Sequence, residues 1–281
     1  MTERKIYPIE ITSSDSRYPL PVEVVDTDED LYWHIAHLLY FTIAEDAGQN
    51  RKTVVILPVG PVFQYRRFVS LFRQAPIDLR GLHCFFMDEY LADERTPIGA
   101  DNSLSFRGFI DREFADPLAE LGAIDRSQIR FPDPARPDAY DRELSELGNA
   151  DLCVAGVGIT GHVAFNDPPE PGQEVTEEQF RNLPTRVVRL SRETVVINSS
   201  TAMRGAFEQI PPLAITVGMR QILDARRIRV YLNRPWQSAV ARKMLFAAPS
   251  PSFPVTLLRS HADVRITLTR KVAEIPDFGL R

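Results

Sequence analysis

The chain has 281 residues, 44% of them hydrophobic, and a formal net charge of −5. That is ample apolar material for a sizeable core. The mild acidity is unlike the basic face of a nucleic-acid binder, so no nucleic-acid partner is expected. No segment approaches the roughly 20 apolar residues that cross a bilayer, so no membrane partner is expected either. The N-terminal stretch carries Glu3, Arg4 and Lys5 but no apolar signal-like run. The cysteines, Cys84 and Cys153, lie inside apolar runs, without disulfide-framework or zinc-site spacing. A reducing compartment suits them, and the expected location is cytoplasmic.

Taken in chain order, the pattern alternates short apolar strands with helical periods. It predicts an α/β fold with a mostly parallel sheet in one domain. Asp26-Thr27-Asp28 opens a helix running to about residue 47, with Asp30 placed to close a capping box on Thr27. Leu31, Ile35 and Leu38 mark its apolar face. A buried strand over residues 54–57 ends at Pro58-Val59-Gly60-Pro61, and a helix follows over about 63–72. The next strand, 83–87, ends in Asp88-Glu89-Tyr90. Helices are predicted near 103–114 and 137–147, then a strand over 151–157 ending in Gly158-Ile159-Thr160-Gly161-His162. The Pro- and Glu-rich stretch 168–184 is predicted to be a lid over the site that precedes it. Strands at 213–217, 228–232 and 264–268 and a helix at 237–246 complete the list.

Three of these strands end in turns suited to chemistry, and in a parallel sheet those turns meet at one edge. Two adjacent acids at a strand end point to opposite sides, so one of Asp88 and Glu89 faces a cleft; buried there, a carboxylate gains the pKa of a general base. Gly156, Gly158 and Gly161 let backbone approach a ligand closely and offer amide groups to it. His162 is suited to moving a proton near neutral pH, with Asp167 to orient it. His34 and His37 fall on a helix surface, His83 begins a strand and His261 lies in a polar turn. No two-histidine-plus-acid pattern appears, and Gly156 to Gly161 fits Gly-x-Gly-x-x-Gly without a following helix to receive a pyrophosphate. Neither a metal nor a cofactor is therefore expected.

Together these segments resemble the glucosamine-6-phosphate deaminase/isomerase family, whose superfamily includes 6-phosphogluconolactonase. Met87-Asp88-Glu89-Tyr90 is like the family's Met-Asp-Glu-Tyr. The run Gly156-Val157-Gly158 through Gly161-His162-Val163-Ala164-Phe165-Asn166-Asp167-Pro168 is similar to its Gly-Val-Gly-x-Asp-Gly-His-Ile-Ala-Phe-Asn-Glu-Pro. Thr185-Arg186-Val187 resembles Thr-Arg-Ile, and Leu213 through Gly218, then Ile222-Leu223-Asp224-Ala225, resembles Ala-Leu-Thr-Val-Gly followed by Leu-Leu-Asp-Ala. The resemblance implies a three-layer α/β/α, Rossmann-like fold. It also implies cofactor-free conversion of an amino-sugar phosphate to a ketose phosphate and ammonia.

By that resemblance Asp88 moves the proton between C2 and C1. His162, with Asp167 and Thr160, opens the sugar ring. Gly60, Glu89, Gly156, Gly158, Gly161, Arg186 and Arg234 bind the substrate, Arg186 at the phosphate, and amides of the glycine-rich turn steady the enediol oxyanion. The chain also departs from the family. Thr160 stands where the family has Asp, and Asp167 where it has Glu. At the phosphate loop Pro58-Val59-Gly60-Pro61-Val62-Phe63 replaces Pro-Thr-Gly-Gly/Ser-Thr-Pro, which removes two hydroxyl donors and, at Pro61, an amide. Arg66, Arg67 and Arg234 are the compensating cations available nearby, the first two more simply read as solvated arginines. These departures keep three alternatives in view: an isomerase on an unphosphorylated or differently charged sugar, a sugar lactone hydrolase, and a non-catalytic sugar-binding regulator. A small-molecule sugar or sugar phosphate is the expected partner, and a homo-oligomer is compatible with these features.

Overall fold

Thr27 starts the first helix as a capping box. Its hydroxyl accepts from the Asp30 amide, and the Asp30 carboxylate accepts from the Thr27 amide. The computed structural model in which this is seen describes residues 6–13 and 15–277. In chain order the elements begin with β1 (Val22–Val25), α1 (Asp28–Gly48), β2 (Thr53–Leu57), α2 (Gln64–Gln74), β3 (Leu82–Phe86), β4 (Asp88–Asp93) and β5 (Thr96–Pro97). They continue with α3 (Phe106–Ile110), α4 (Asp116–Glu120), β6 (Ile129–Arg130), α5 (Pro137–Glu146), β7 (Leu152–Gly156), α6 (Glu177–Arg181), β8 (Arg186–Arg189) and α7 (Arg192–Ala202). Last come β9 (Leu213–Thr216), α8 (Met219–Leu223), β10 (Ile228–Leu232), α9 (Gln237–Phe246), β11 (Val264–Thr269) and α10 (Arg270–Ala273).

A seven-stranded sheet in the order β1-β11-β10-β7-β2-β3-β6 forms the centre, every pairing parallel. Its strands are apolar on both faces because helices cover both. Along β2, Val55 and Leu57 face one core with Leu31 and Ile35 of α1 and Tyr65 and Phe68 of α2. Val54 and Ile56 face the other, with Leu144 of α5 and Met244 of α9. This is the three-layer α/β/α, Rossmann-like arrangement that the alternating pattern predicts. Cys84 and Cys153 are free, buried thiols on opposite faces of the sheet, and burial pushes the Cys84 thiol up to about 12.

A second sheet carries more of the site than the sequence pattern suggests. It is antiparallel, in the order β5-β4-β9-β8. The run 213–217 belongs to it and not to the central sheet. The strand predicted to end at Met87 instead passes through that residue from one sheet to the other, becoming β4 at Asp88. The helix predicted over 103–114 forms in pieces, α3 and α4, joined by a π-helical turn over Asp111–Ala115. The stretch 168–184 contains α6 and is tied down, with Phe180 buried and Arg181 donating to the Leu257 carbonyl at 2.9 Å. Among the described residues no helix is long and apolar enough to cross a membrane.

The C-terminal side of the fold hangs on one arginine. Arg242 of α9 is fully buried and donates to the carbonyls of Ser238, Val272, Ala273 and Glu274. Arg242→Met fills similar space but leaves the last three carbonyls without that donor, and should lower unfolding stability by about 3 kcal/mol in urea titrations. A loss under about 1 kcal/mol would mean that water replaces the guanidinium there.

Candidate active site

The carboxyl ends of β2, β3 and β7 lie side by side, and their turns open onto a cavity of about 280 Å³. Gly60 comes from the first turn, Asp88 from the second, and Gly156, Gly158 and His162 from the third. The remaining wall is supplied from outside the central sheet, by Tyr90 of β4, by Leu104 and Phe106, and by Asn198, Thr201 and Ala202 of α7.

Asp88 and Glu89 separate as adjacent strand residues must. Asp88 pairs with Thr216 across the second sheet, and its side chain lines the cavity while only 7% exposed. Burial, with the Glu89 charge close behind, pushes its pKa up to about 8. Glu89 turns the other way, into the start of α3, where its carboxylate accepts from the Ser105 hydroxyl at 2.9 Å and the amides of Phe106 and Arg107 at 3.0 and 2.8 Å. Glu89 is therefore a helix cap and lines no part of the cavity, a correction to its expected place at the substrate. Its carboxyl is raised by burial, an effect that those donors oppose.

His162 is held at one nitrogen and open at the other. Asp167 Oδ1 lies 2.7 Å from Nδ1, so Nδ1 carries a proton and Nε2 is left as the exchangeable site. The same carboxylate oxygen accepts from the hydroxyls of Thr160 and Thr194, each at 2.8 Å, and Oδ2 accepts from the Ser191 amide at 3.0 Å. Burial opposes a charge on Asp167, but His162 and these donors outweigh it and hold the carboxyl far below the usual carboxylate range. Nε2 lies directly over Gly158, where a Cβ would sit 1.8 Å from it, so only glycine leaves room for this imidazole. Gly161 makes the tight return with φ +82°, under the ring of Phe253, and its own atoms do not reach the cavity.

Other expected contacts are engaged elsewhere. The Gly158 amide donates to the His162 carbonyl and the Gly161 amide to the Gly158 carbonyl, both at 3.0 Å, so these two close the turn and are not free for an oxyanion. Arg186 is half-buried and donates to Asn166 Oδ1 at 2.8 Å, and Asn166 in turn holds the carbonyls of Val163 and Val217. It braces the frame of the histidine loop from outside the cavity lining. Arg234 is exposed beyond the end of β10 and outside the lining. Arg66 and Arg67 pair with Glu113 and Glu29. The segment 168–184 contributes no lining residue either.

Sequence reasoning missed the whole α7 wall. Thr194, Asn198, Thr201 and Ala202 fall at i, i+4, i+7 and i+8, one face of a helix. Apart from Ser191 as its cap, that segment carries polar and β-branched residues with no apolar stripe, so it gives no helix signal of its own. Among the described residues there is no cluster of histidine, cysteine and acidic side chains that could hold a metal.

The Asp88 position has a measurable signature in stability. Below about pH 4 the carboxyl is protonated both folded and unfolded. Between about pH 4 and 8 the unfolded chain ionises while the native site keeps its proton, so native stability falls as pH rises; above about 8 both ionise and the loss levels off. Asp88→Asn lacks this term. Its stability relative to the natural chain should climb steadily from pH 4 to 8 in denaturant titrations, and a flat difference would place the carboxyl in solvent.

The geometry finds close company among known proteins. The chain is 31% identical over 216 residues to a glucosamine-6-phosphate deaminase of Porphyromonas gingivalis, covering 75% of this chain and 76% of that one. It is 26% identical over 248 residues to the enzyme of the same name from Thermoanaerobacter pseudethanolicus, covering 85% and 90%. Among solved structures, a monomeric glucosamine-6-phosphate deaminase superposes with TM-score 0.75 at 24% identity, covering 91% of this chain and 99% of that one. A 6-phosphogluconolactonase from Trypanosoma brucei superposes at 0.67 and 17% identity, covering 91% and 98%. No family model matches the chain. The ordered motifs at 87–90 and 156–168, the fold they build and the identity to the Porphyromonas protein place the chain in the glucosamine-6-phosphate deaminase family.

Proposed function

We propose that the chain deaminates and isomerises an amino sugar, glucosamine 6-phosphate or a close analogue, to a ketose and ammonia. The observation that carries the reading is that the Asp88 carboxyl and the His162 imidazole open onto one cavity at the rim of the central sheet. His162 Nε2, with Nδ1–H fixed on Asp167, takes the anomeric hydroxyl proton and delivers one to the ring oxygen, which opens the ring to the aldehyde. Thr160 and Thr194 hold Asp167 so that the imidazole keeps this orientation.

Asp88 then removes the proton from C2 of the open chain, giving an enolamine, and returns a proton to C1. The resulting iminium at C2 adds water and releases the nitrogen as ammonium, leaving the ketose. A carboxyl near pKa 8 is a stronger base than an ordinary carboxylate once ionised. The ammonium group of the bound amino sugar favours that ionised form, because an opposite charge nearby lowers a raised carboxyl pKa. The lactonase relatives share the fold, but hydrolysis of a lactone has no use for a buried carbon base at Asp88.

Ammonia release and solvent deuterium at C1 of the ketose test the proposal together. Asp88→Asn should lower turnover by about 10³-fold, within the range that positioned acid–base groups supply, and deuterium incorporation should fall with it. For the natural chain, kcat/KM should rise with pH through a limb well above the ordinary carboxyl range, near 8 for the free protein. Retained turnover in Asp88→Asn would assign the base elsewhere. Asp167→Asn should slow the ring form more than an open-chain analogue, and equal losses on both would remove His162 from ring opening.

A further inference from the structure

We propose that this cavity takes an amino sugar whose end remote from C1 and C2 is uncharged, so that the preferred substrate carries no phosphate. The inference rests on the sugar-site reading above and fixes which sugar the site holds.

The charge of the cavity is the starting point. Among its described lining residues no lysine or arginine occurs, and the acidic side chain is Asp88, with Glu89 buried just behind it. Val59, Val62, Leu104, Phe106 and Ala202 bring apolar surface to the lining. A phosphate dianion moved into such surroundings sheds its hydration without gaining a counter-charge, and its charge would hold the Asp88 carboxyl still further from ionising. An ammonium group at C2 meets the opposite situation, because it favours the ionised form of Asp88 and pairs with it.

The cations nearby in sequence are committed or lie outside the lining. Arg66 and Arg67 form ion pairs with Glu113 and Glu29, Arg186 holds the Asn166 side-chain oxygen, and Arg234 is exposed beyond β10 and does not line the cavity. The loop after β2 has lost its anion-binding character as well. Pro61 has no amide to give, Val59 and Val62 bring methyl groups, and the Tyr65 hydroxyl donates to the Pro58 carbonyl. What remains is the N-terminus of α2, whose dipole is worth roughly half a charge against two.

Neutral hydroxyls, by contrast, find partners. Asn198 Nδ2 donates to the Tyr90 hydroxyl at 2.9 Å, which leaves the tyrosine proton and the Asn198 carbonyl oxygen to serve sugar hydroxyls. Thr201 stands one turn further along the same face of α7.

Two unreactive open-chain probes separate this inference from the chemistry. They are 2-amino-2-deoxyglucitol and its 6-phosphate, titrated calorimetrically into the full chain at low ionic strength. The unphosphorylated alditol should bind at least about 10-fold more tightly. In Ala202→Arg, which places a guanidinium on the exposed rim of the cavity, the preference should reverse. Equal or tighter binding of the phosphate by the natural chain would overturn the inference, and so would binding of neither probe. Because neither alditol reacts, preferred binding of the neutral probe without turnover of glucosamine would count against Asp88 as base and leave the charge preference standing.

Discussion

The site depends on where one carboxyl group is placed. Met87 is the hinge residue at which the chain leaves the parallel sheet, and Asp88 is the first residue of the antiparallel one. Its pairing with Thr216 fixes the register of β4. Strand alternation then sends Asp88 into the cavity and Glu89 into the cap of α3. Slipping the register by one residue would exchange the two acids, burying a capped carboxylate where the base belongs. Thr216 also accepts the Phe165 amide at 2.9 Å, so the residue that sets the Asp88 register anchors the histidine loop too.

The second half of the site is tuned from the opposite direction. Asp88 is left with little but burial and a like charge, and its proton is held to about pH 8. Asp167 is surrounded by donors and stays ionised. Two carboxyl groups with pKa values pushed apart make two different tools, a base for carbon and an anchor for an imidazole. Thr160 stands where the family carries an acid, and its hydroxyl joins Thr194 on the same Asp167 oxygen. A second charge beside His162 is thus replaced by a neutral donor, which together with Thr194 stiffens the one already present.

Much of this was legible in the sequence because the deciding residues sit at strand ends. The buried runs at 54–57, 151–157 and 228–232 show themselves by composition, and the turn after each must lie at one edge of a parallel sheet. Thr27 and Asp30 announce the first helix, and the helix at 237–246 forms over those residues. The second sheet was not legible. Its strands β4, β5 and β8 are short, half polar or edge-like, and the apolar run 213–217 looks the same whichever sheet receives it. Arg186 illustrates a harder limit. A motif match gives a residue its position on the strand but not its partner, and here the guanidinium is taken by Asn166. The α7 wall was invisible for the complementary reason: apart from Ala202 its face toward the cavity is polar, so it leaves no apolar stripe.

The proposed chemistry requires a buried Asp88 that keeps its proton past neutrality and faces the same cavity as His162. Chains labelled with ¹³C at aspartate carboxyl carbons, titrated by NMR with Asp88→Asn to assign the resonance, measure this without substrate. One carboxyl should titrate with a midpoint near pH 8 and be missing from the variant. An Asp88 resonance titrating near pH 4 would contradict it.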